Sequence, residues 1–233
     1  DVLGSRGLGD VYKRQLLIYA EDVIKEYNAK GIKPVIVSEV KCSQVLYDTI
    51  NENGGVAVMC KTGHGYIKSK MRETGAVLAG EMSGHTFFKD HYYGFDDAVY
   101  AGCRIIQIVA GKKRENPNFK ITDMLEPFKS MYSSSEVRLP CPNSLKAQTL
   151  EEFQKVIAEN PDFFGTNIKD IITIDGMRIV FEKGFALIRQ SNTEPVFTLR
   201  FEADSKENAQ KYEDLMVNKL LEIIKNLSVQ VTA

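Results

Sequence analysis

One change of rhythm limits this chain more than any other feature. From Leu16 to about residue 125, short apolar runs alternate with segments of helical spacing. After Pro161 the alternation stops, and four strand-like runs follow one another before a last helix. Strands alternating with helices predict an α/β layer with a largely parallel sheet, and consecutive strands followed by a helix predict an α+β unit with an antiparallel sheet. The 233 residues are enough for two such domains. The join is expected near residues 126–134, where Ser133-Ser134-Ser135 and the prolines at 140 and 142 loosen the pattern.

In the first part, Leu17, Ala20, Ile24 and Tyr27 share a helical face that Asn28 and Gly31 end. Strands are predicted at 33–38, 55–60 and 75–80, with helices between them at 43–52 and 67–73, and a helix at 96–109 capped by Asp96. In the second part a helix is predicted over 149–159, with Thr149 as cap and Glu152 completing a capping box. Strands are predicted at 168–174, 177–182, 185–189 and 196–203, with hairpin turns at Asp175-Gly176 and Lys183-Gly184. A helix over 205–226 closes the pattern. Residues 1–15 mix Gly, Arg and Asp with no period. They read as a non-native or disordered leader, with a native loop cut from an upstream domain as the alternative.

The balance of 30 basic and 31 acidic residues gives no global field to draw nucleic acid or an anionic membrane, so neither is expected as a partner. Any anion must be held by a local pocket. None of the four cysteines sits in a C-x-x-C pair, and they read as reduced thiols of a cytoplasmic protein. Cys60 and His64 stand at metal-ligand spacing, but two ligands are too few for a site.

Three polar segments stand out. Lys61-Thr62-Gly63-His64-Gly65 does not match the spacing of a phosphate-binding P-loop and reads as a strand-to-helix turn. Gly80-Glu81-Met82-Ser83-Gly84-His85 follows a predicted strand directly, at the carboxyl end where open α/β sheets place ligands. Glu81 can accept from two neighbouring sugar hydroxyls and Ser83 can donate or accept beside it, although an ordinary polar turn fits the composition equally. Arg189-Gln190-Ser191-Asn192-Thr193-Glu194-Pro195 sits between two predicted strands. Its small polar residues turn hydroxyls and backbone amides toward one spot, and Arg189 adds a fork that matches phosphate, which favours an anion site over a plain hairpin.

These segments resemble the α-D-phosphohexomutase family in its phosphomannomutase/phosphoglucomutase form. GEMSGH is similar to that family's sugar-recognition loop, and RQSNTEP to the phosphate-binding loop of its fourth domain. Glu39-Val40-Lys41-Cys42, Lys61-Thr62-Gly63-His64 and Gly94-Phe95-Asp96-Asp97 extend the resemblance from about residue 16 to about residue 228. It implies the C-terminal half of such an enzyme: a three-layer phosphohexomutase-type α/β domain over 16–130, then over 131–233 an α+β domain with an antiparallel four-stranded sheet and helices, TATA-binding-protein-like.

The resemblance also implies roles. The family is an isomerase, an intramolecular phosphotransferase that moves a phosphoryl group between the 1- and 6-positions of a hexose through a phosphoserine and a bisphosphate. Glu81 and Ser83 would hold the sugar hydroxyls at carbons 3 and 4. Lys41, His64 and His85 would line the cleft, and Arg189, Ser191, Asn192 and Thr193 would clamp the non-reacting phosphate, with Arg200 a weaker candidate. His91 matches no motif and reads as a surface residue. The expected partners are a hexose phosphate and the missing N-terminal half of the same enzyme. The family's phosphoserine loop and its Asp-Gly-Asp magnesium loop have no counterpart here, so Mg2+ belongs outside this chain, no metal is expected in it, and the fragment alone should be inactive. Alternatives are a phosphoglucosamine mutase fragment, against which Met82 stands where that branch tends to carry Gln, and a non-catalytic sugar-phosphate binding module.

Overall fold

The computed structural model describes the backbone of residues 2–128 and 131–232, and the side chains of residues 14–125 and 131–229. The chain divides into two compact units, Asp1–Lys129 and Ser130–Ala233.

The first unit is built on β1 (Val35–Glu39), β2 (Val56–Cys60), β3 (Leu78–Gly80) and β4 (Thr86–Phe88), in the order β2-β1-β3-β4. β1 pairs in parallel with β2 and β3, while β4 runs antiparallel to β3. The period of two along each strand sends alternate residues to opposite faces. Ile36, Leu78 and Phe88 pack under α1 (Val2–Asn28), α2 (Gln44–Glu52) and α4 (Ala98–Glu115), while Val37, Ala79 and Phe87 pack with Ile67 and Met71 of α3 (His64–Thr74). The result is helix, sheet, helix, the three layers expected. β4 escaped notice because three residues carry too little pattern to register.

Local chemistry sets the helix boundaries. Ser43 caps α2 by accepting from the Val45 amide at 3.2 Å. Asp97, not Asp96, caps α4: its Oδ1 accepts from the Val99 and Tyr100 amides, both at 2.9 Å. α1 begins well before the predicted Leu16; the side chains of residues 1–13, and with them the expectation of a foreign leader, lie outside the described residues. A short 3-10 helix, Ile121–Phe128, ends the unit.

In the second unit, β7 (Ile168–Ile172), β8 (Met177–Phe181), β9 (Gly184–Gln190) and β10 (Val196–Ala203) form the four expected antiparallel strands. Two short strands, β5 (Tyr132–Ser133) and β6 (Val137–Pro140), lie one after the other along the outer edge of β10 and raise the sheet to six. Met177, Ile179, Ala186, Ile188, Phe197, Leu199 and Phe201 share one core cluster with Phe153 of α5 (Asn143–Glu159) and Met216 and Leu220 of α6 (Lys206–Thr232). α5 starts directly after Pro142, so Thr149 is a fully buried interior residue rather than a cap. Proline at a helix entrance loses no hydrogen bond, which is why Pro142 launches the helix instead of delaying it, while Pro140 ends β6.

Gly176, like Gly184 in the β8–β9 turn, is a turn position that only glycine fits. The φ of Gly176 is 83°, and a Cβ there would lie 2.2 Å from the Ile188 carbonyl oxygen. The β7–β8 turn therefore presses against β9 one residue before Arg189.

Candidate functional site

In the first unit the parallel strands deliver three loops at their carboxyl ends. One side chain binds them together. Glu39, the last residue of β1, is fully buried. Its Oε2 accepts from the Lys41 amide at 2.9 Å and from the Thr62 hydroxyl at 2.8 Å, and its Oε1 accepts from the Met82 amide at 3.1 Å. The loops after β1, β2 and β3 are thus fastened to one carboxylate. Burying a charge is tolerated because each oxygen is hydrogen-bonded.

On this base stands the loop at 80–85. Glu81 is buried, and its Oε1 accepts from the Gly63 amide at 3.2 Å, while Oε2 accepts from the Ser83 hydroxyl at 3.0 Å. The loop closes through Glu81 N to His85 O at 2.9 Å and Gly84 N to Glu81 O at 3.1 Å. Gly63, with φ 126°, is the one positive-φ residue of the 61–65 turn, which brings its amide to Glu81; Gly65 is taken up in α3.

His85 and His64 meet edge to face, with ring centroids 4.4 Å apart. His85 Nδ1 lies 2.6 Å from Asp96 Oδ2, and His64 Nε2 lies 3.8 Å from the same oxygen. Where the Nδ1–H of His85 is donated to Asp96, Nε2 is the acceptor of the ring. Asp96 also accepts from the Thr86 amide at 3.3 Å, so it is anchored to β4. The structure therefore gathers Glu81, Ser83, His64 and His85 into one cluster. Lys41 belongs to the same rim through its backbone. His91 is elsewhere, exposed and 2.8 Å from Glu26.

In the second unit the 189–195 loop joins β9 to β10. Arg189 is buried, and its Nε donates to Asp175 at 3.1 Å, which orients the guanidinium and leaves both Nη groups to serve as a fork. The expected concavity of amides is narrower than the sequence suggests. Ser191 N donates to Val196 O, Glu194 N to the Ser191 hydroxyl and Val196 N to Glu194 O. Among the described residues, the amides of Asn192 and Thr193 take no partner, and both residues are exposed. Lys146, buried on α5, supports the loop from beneath by donating to the carbonyls of Ser191 (2.8 Å) and Glu194. Arg138 pairs with Glu194 at its flank. Arg200 is buried within β10 rather than part of the loop.

Glu39, Asp96, Asp175 and Lys146 are the residues that sequence reasoning missed or misassigned. Asp96 had looked like a helix cap, and Asp175 only like half of a turn.

Magnesium prefers an all-oxygen shell. Among the described residues, both three-residue clusters that bring ligand atoms together contain histidine: His64, Glu81 and His85, and Glu26, Asp90 and His91. Neither fits magnesium. Cys60 is buried and joins neither.

A family model described as "Phosphoglucomutase/phosphomannomutase, alpha/beta/alpha domain III" matches residues 13–128, and one described as "Phosphoglucomutase/phosphomannomutase, C-terminal domain" matches residues 136–219. The chain is 40% identical over 202 residues to a phosphoglucomutase of Neisseria gonorrhoeae, covering 86% of this chain and 40% of that protein. It is 37% identical over 216 residues to a phosphomannomutase/phosphoglucomutase of Pseudomonas aeruginosa, covering 93% and 43%. A phosphoglucosamine mutase of Methanococcus maripaludis is 30% identical over 180 residues, covering 76% and 36%. A crystal structure of a phosphoglucomutase/phosphomannomutase family protein from Burkholderia thailandensis superposes with a TM-score of 0.74 at 35% identity, covering 91% of this chain and 41% of that one. The chain thus spans about two fifths of the length of the curated relatives it matches.

Proposed function

The chain belongs to the phosphoglucomutase/phosphomannomutase family, and from that premise we propose that it is the sugar- and phosphate-recognising part of an enzyme interconverting hexose 1- and 6-phosphates. The observation that carries this reading is the Glu81 carboxylate. It is buried, held from two sides by Gly63 and Ser83, and set at the carboxyl end of a parallel strand. A carboxylate fixed in this way can accept from two vicinal hydroxyls, and Ser83 stands beside it as a further donor or acceptor.

In this reading Glu81 and Ser83 hold the hydroxyls at carbons 3 and 4. His64 and His85, kept in place by Asp96, line the same cleft with Lys41. In the second unit Arg189, Ser191, Asn192 and Thr193 bind the phosphate that does not react, through the Nη fork, the two available amides and the hydroxyls. Vicinal hydroxyls and a phosphate look alike from either end of a hexose bisphosphate, so such recognition accepts both orientations, as a transfer between the two ends requires. It leaves carbon 2 unread, so glucose and mannose phosphates both fit. Phosphoryl transfer itself is largely positioning and charge stabilisation. In this reading the phosphoserine and the magnesium belong to residues outside this chain, whose sequence has no counterpart of the family's phosphoserine and Asp-Gly-Asp loops. A cytoplasmic setting agrees with four cysteines that are in no disulfide, and no helix among the described residues is long and apolar enough to cross a membrane.

The purified chain should turn over no hexose phosphate, and measurable turnover overturns that part. Its binding should still be detectable: amide chemical shifts of the 80–85 loop should move with mannose 6-phosphate at a Kd on the order of millimolar. Glu81→Ala should abolish the shifts in that loop, and shifts unchanged by it would remove the sugar site.

A further inference from the structure

We propose that His64, Glu81 and His85 form a binding site for a divalent zinc-type cation, and that this cation and the sugar exclude one another. One ring nitrogen of each histidine and one oxygen of Glu81 already lie within 4.8 Å of one another. Zinc bonds of about 2.0–2.1 Å place tetrahedral ligand atoms roughly 3.3 Å apart. The gap is closed by rotating two half-exposed imidazoles, whose side chains are 43% and 46% accessible, while the buried carboxylate stays where Gly63 and Ser83 hold it.

An independent feature points the same way. Asp96 Oδ2 sits 2.6 Å from Nδ1 of His85, and the tautomer that donates Nδ1–H to it carries its lone pair on Nε2. A carboxylate behind an imidazole is the usual outer partner of a metal-ligating histidine, and it raises the basicity of the ligating nitrogen. Asp96 is itself tied to the Thr86 amide, so this partner is part of the fold. Two imidazoles with one carboxylate select zinc, cobalt or nickel over magnesium and calcium, and leave an open position for water. The exclusion of sugar rests on the reading of Glu81 given above: a carboxylate oxygen committed to a cation is no longer available to the hydroxyls. The cation site itself does not depend on that reading.

The test is titration of the full 233-residue chain with Co2+, followed by its visible absorption, and with Zn2+ by calorimetry. One equivalent should bind with a Kd in the micromolar range or tighter and give the intense visible band of a low-coordinate cobalt site. His64→Gln and His85→Gln should each weaken binding at least tenfold, and Asp96→Asn about tenfold with a changed cobalt spectrum. His91→Gln should change nothing, and millimolar Mg2+ should not compete. Failure to bind one equivalent, or binding indifferent to both His64→Gln and His85→Gln, overturns the proposal; circular dichroism of each variant separates loss of ligand from loss of fold. Mannose 6-phosphate should displace Co2+ more strongly than the same concentration of inorganic phosphate. Should binding follow the histidines while the sugar phosphate displaces no better than phosphate, the cation site stands and the sugar assignment of Glu81 falls.

Discussion

At the residue scale, the unit 2 loop depends on a side chain that no motif contains. Lys146 lies on α5, far in sequence from the 189–195 loop, and is buried with its ammonium on the carbonyls of Ser191 and Glu194. A buried ammonium with carbonyl partners both shapes the loop and makes its surroundings positive. Lys146→Met keeps most of the volume and removes both effects. It should weaken inorganic phosphate binding at the loop about tenfold and lower stability by roughly 1–3 kcal/mol. Amide shifts of residues 191–194 during a phosphate titration, together with urea unfolding, measure the two. Unchanged phosphate affinity would show that the loop holds its shape without this lysine. Lys146 was illegible in the sequence for a physical reason: a lysine on a polar-looking helix start reads as solvated, and only the fold brings distant carbonyls to it. Glu81, Ser83 and Arg189 were legible because they sit inside short, dense, polar segments next to strand ends.

At the element scale, most strands and helices were readable because long segments repeat their pattern several times. β10 was found residue for residue over 196–203. What escaped was short or set by neighbours: three-residue β4, two-residue β5, and the true start of α5 at Asn143. The α4 cap shows how adjacent like residues divide their duties. Asp97 takes the helix amides and Asp96 takes His85, a division that sequence alone leaves open. The Tyr100 amide, with Tyr92 hydroxyl and Val99 amide behind it, holds the Asp97 carboxyl below its ordinary 3.8. A depressed carboxyl contributes stability that is complete above its unfolded value and is lost as pH falls through the folded one. Asp97→Asn retains an accepting oxygen but no charge. Its stability should therefore decline less steeply than that of the parent below about pH 4. Asp97→Ala, which removes the cap, should lower Tm by roughly 5 °C at neutral pH. Thermal melts across pH 3–7 decide it, and parallel acid limbs for the parent and Asp97→Asn would contradict the charge effect.

At the scale of the whole molecule, each unit owns its core. One cluster runs from Leu139 to Leu227, and the other two are confined to residues 16–124. Among the described residues, no buried apolar cluster mixes the two sets. Residues 14–129 and 130–233 made as separate chains should each melt cooperatively, and near-ultraviolet circular dichroism should show fixed aromatic environments in both. A unit that stays molten when alone would mean that its core is incomplete. Two-domain organisation was legible because the change from alternating to consecutive strands is a property of the whole sequence rather than of any residue.

Glu39 gives the first unit one further property. Because a single carboxylate clasps Lys41, Thr62 and Met82, the rim they form cannot fray piecemeal. In deuterated water the Lys41 and Met82 amides should exchange at a common rate, opening as one body. Glu39→Ala should uncouple the two and quicken both by a hundredfold or more, since a lost buried partner leaves about 3 kcal/mol uncompensated. Separate rates in the parent chain would show the clasp to be slack.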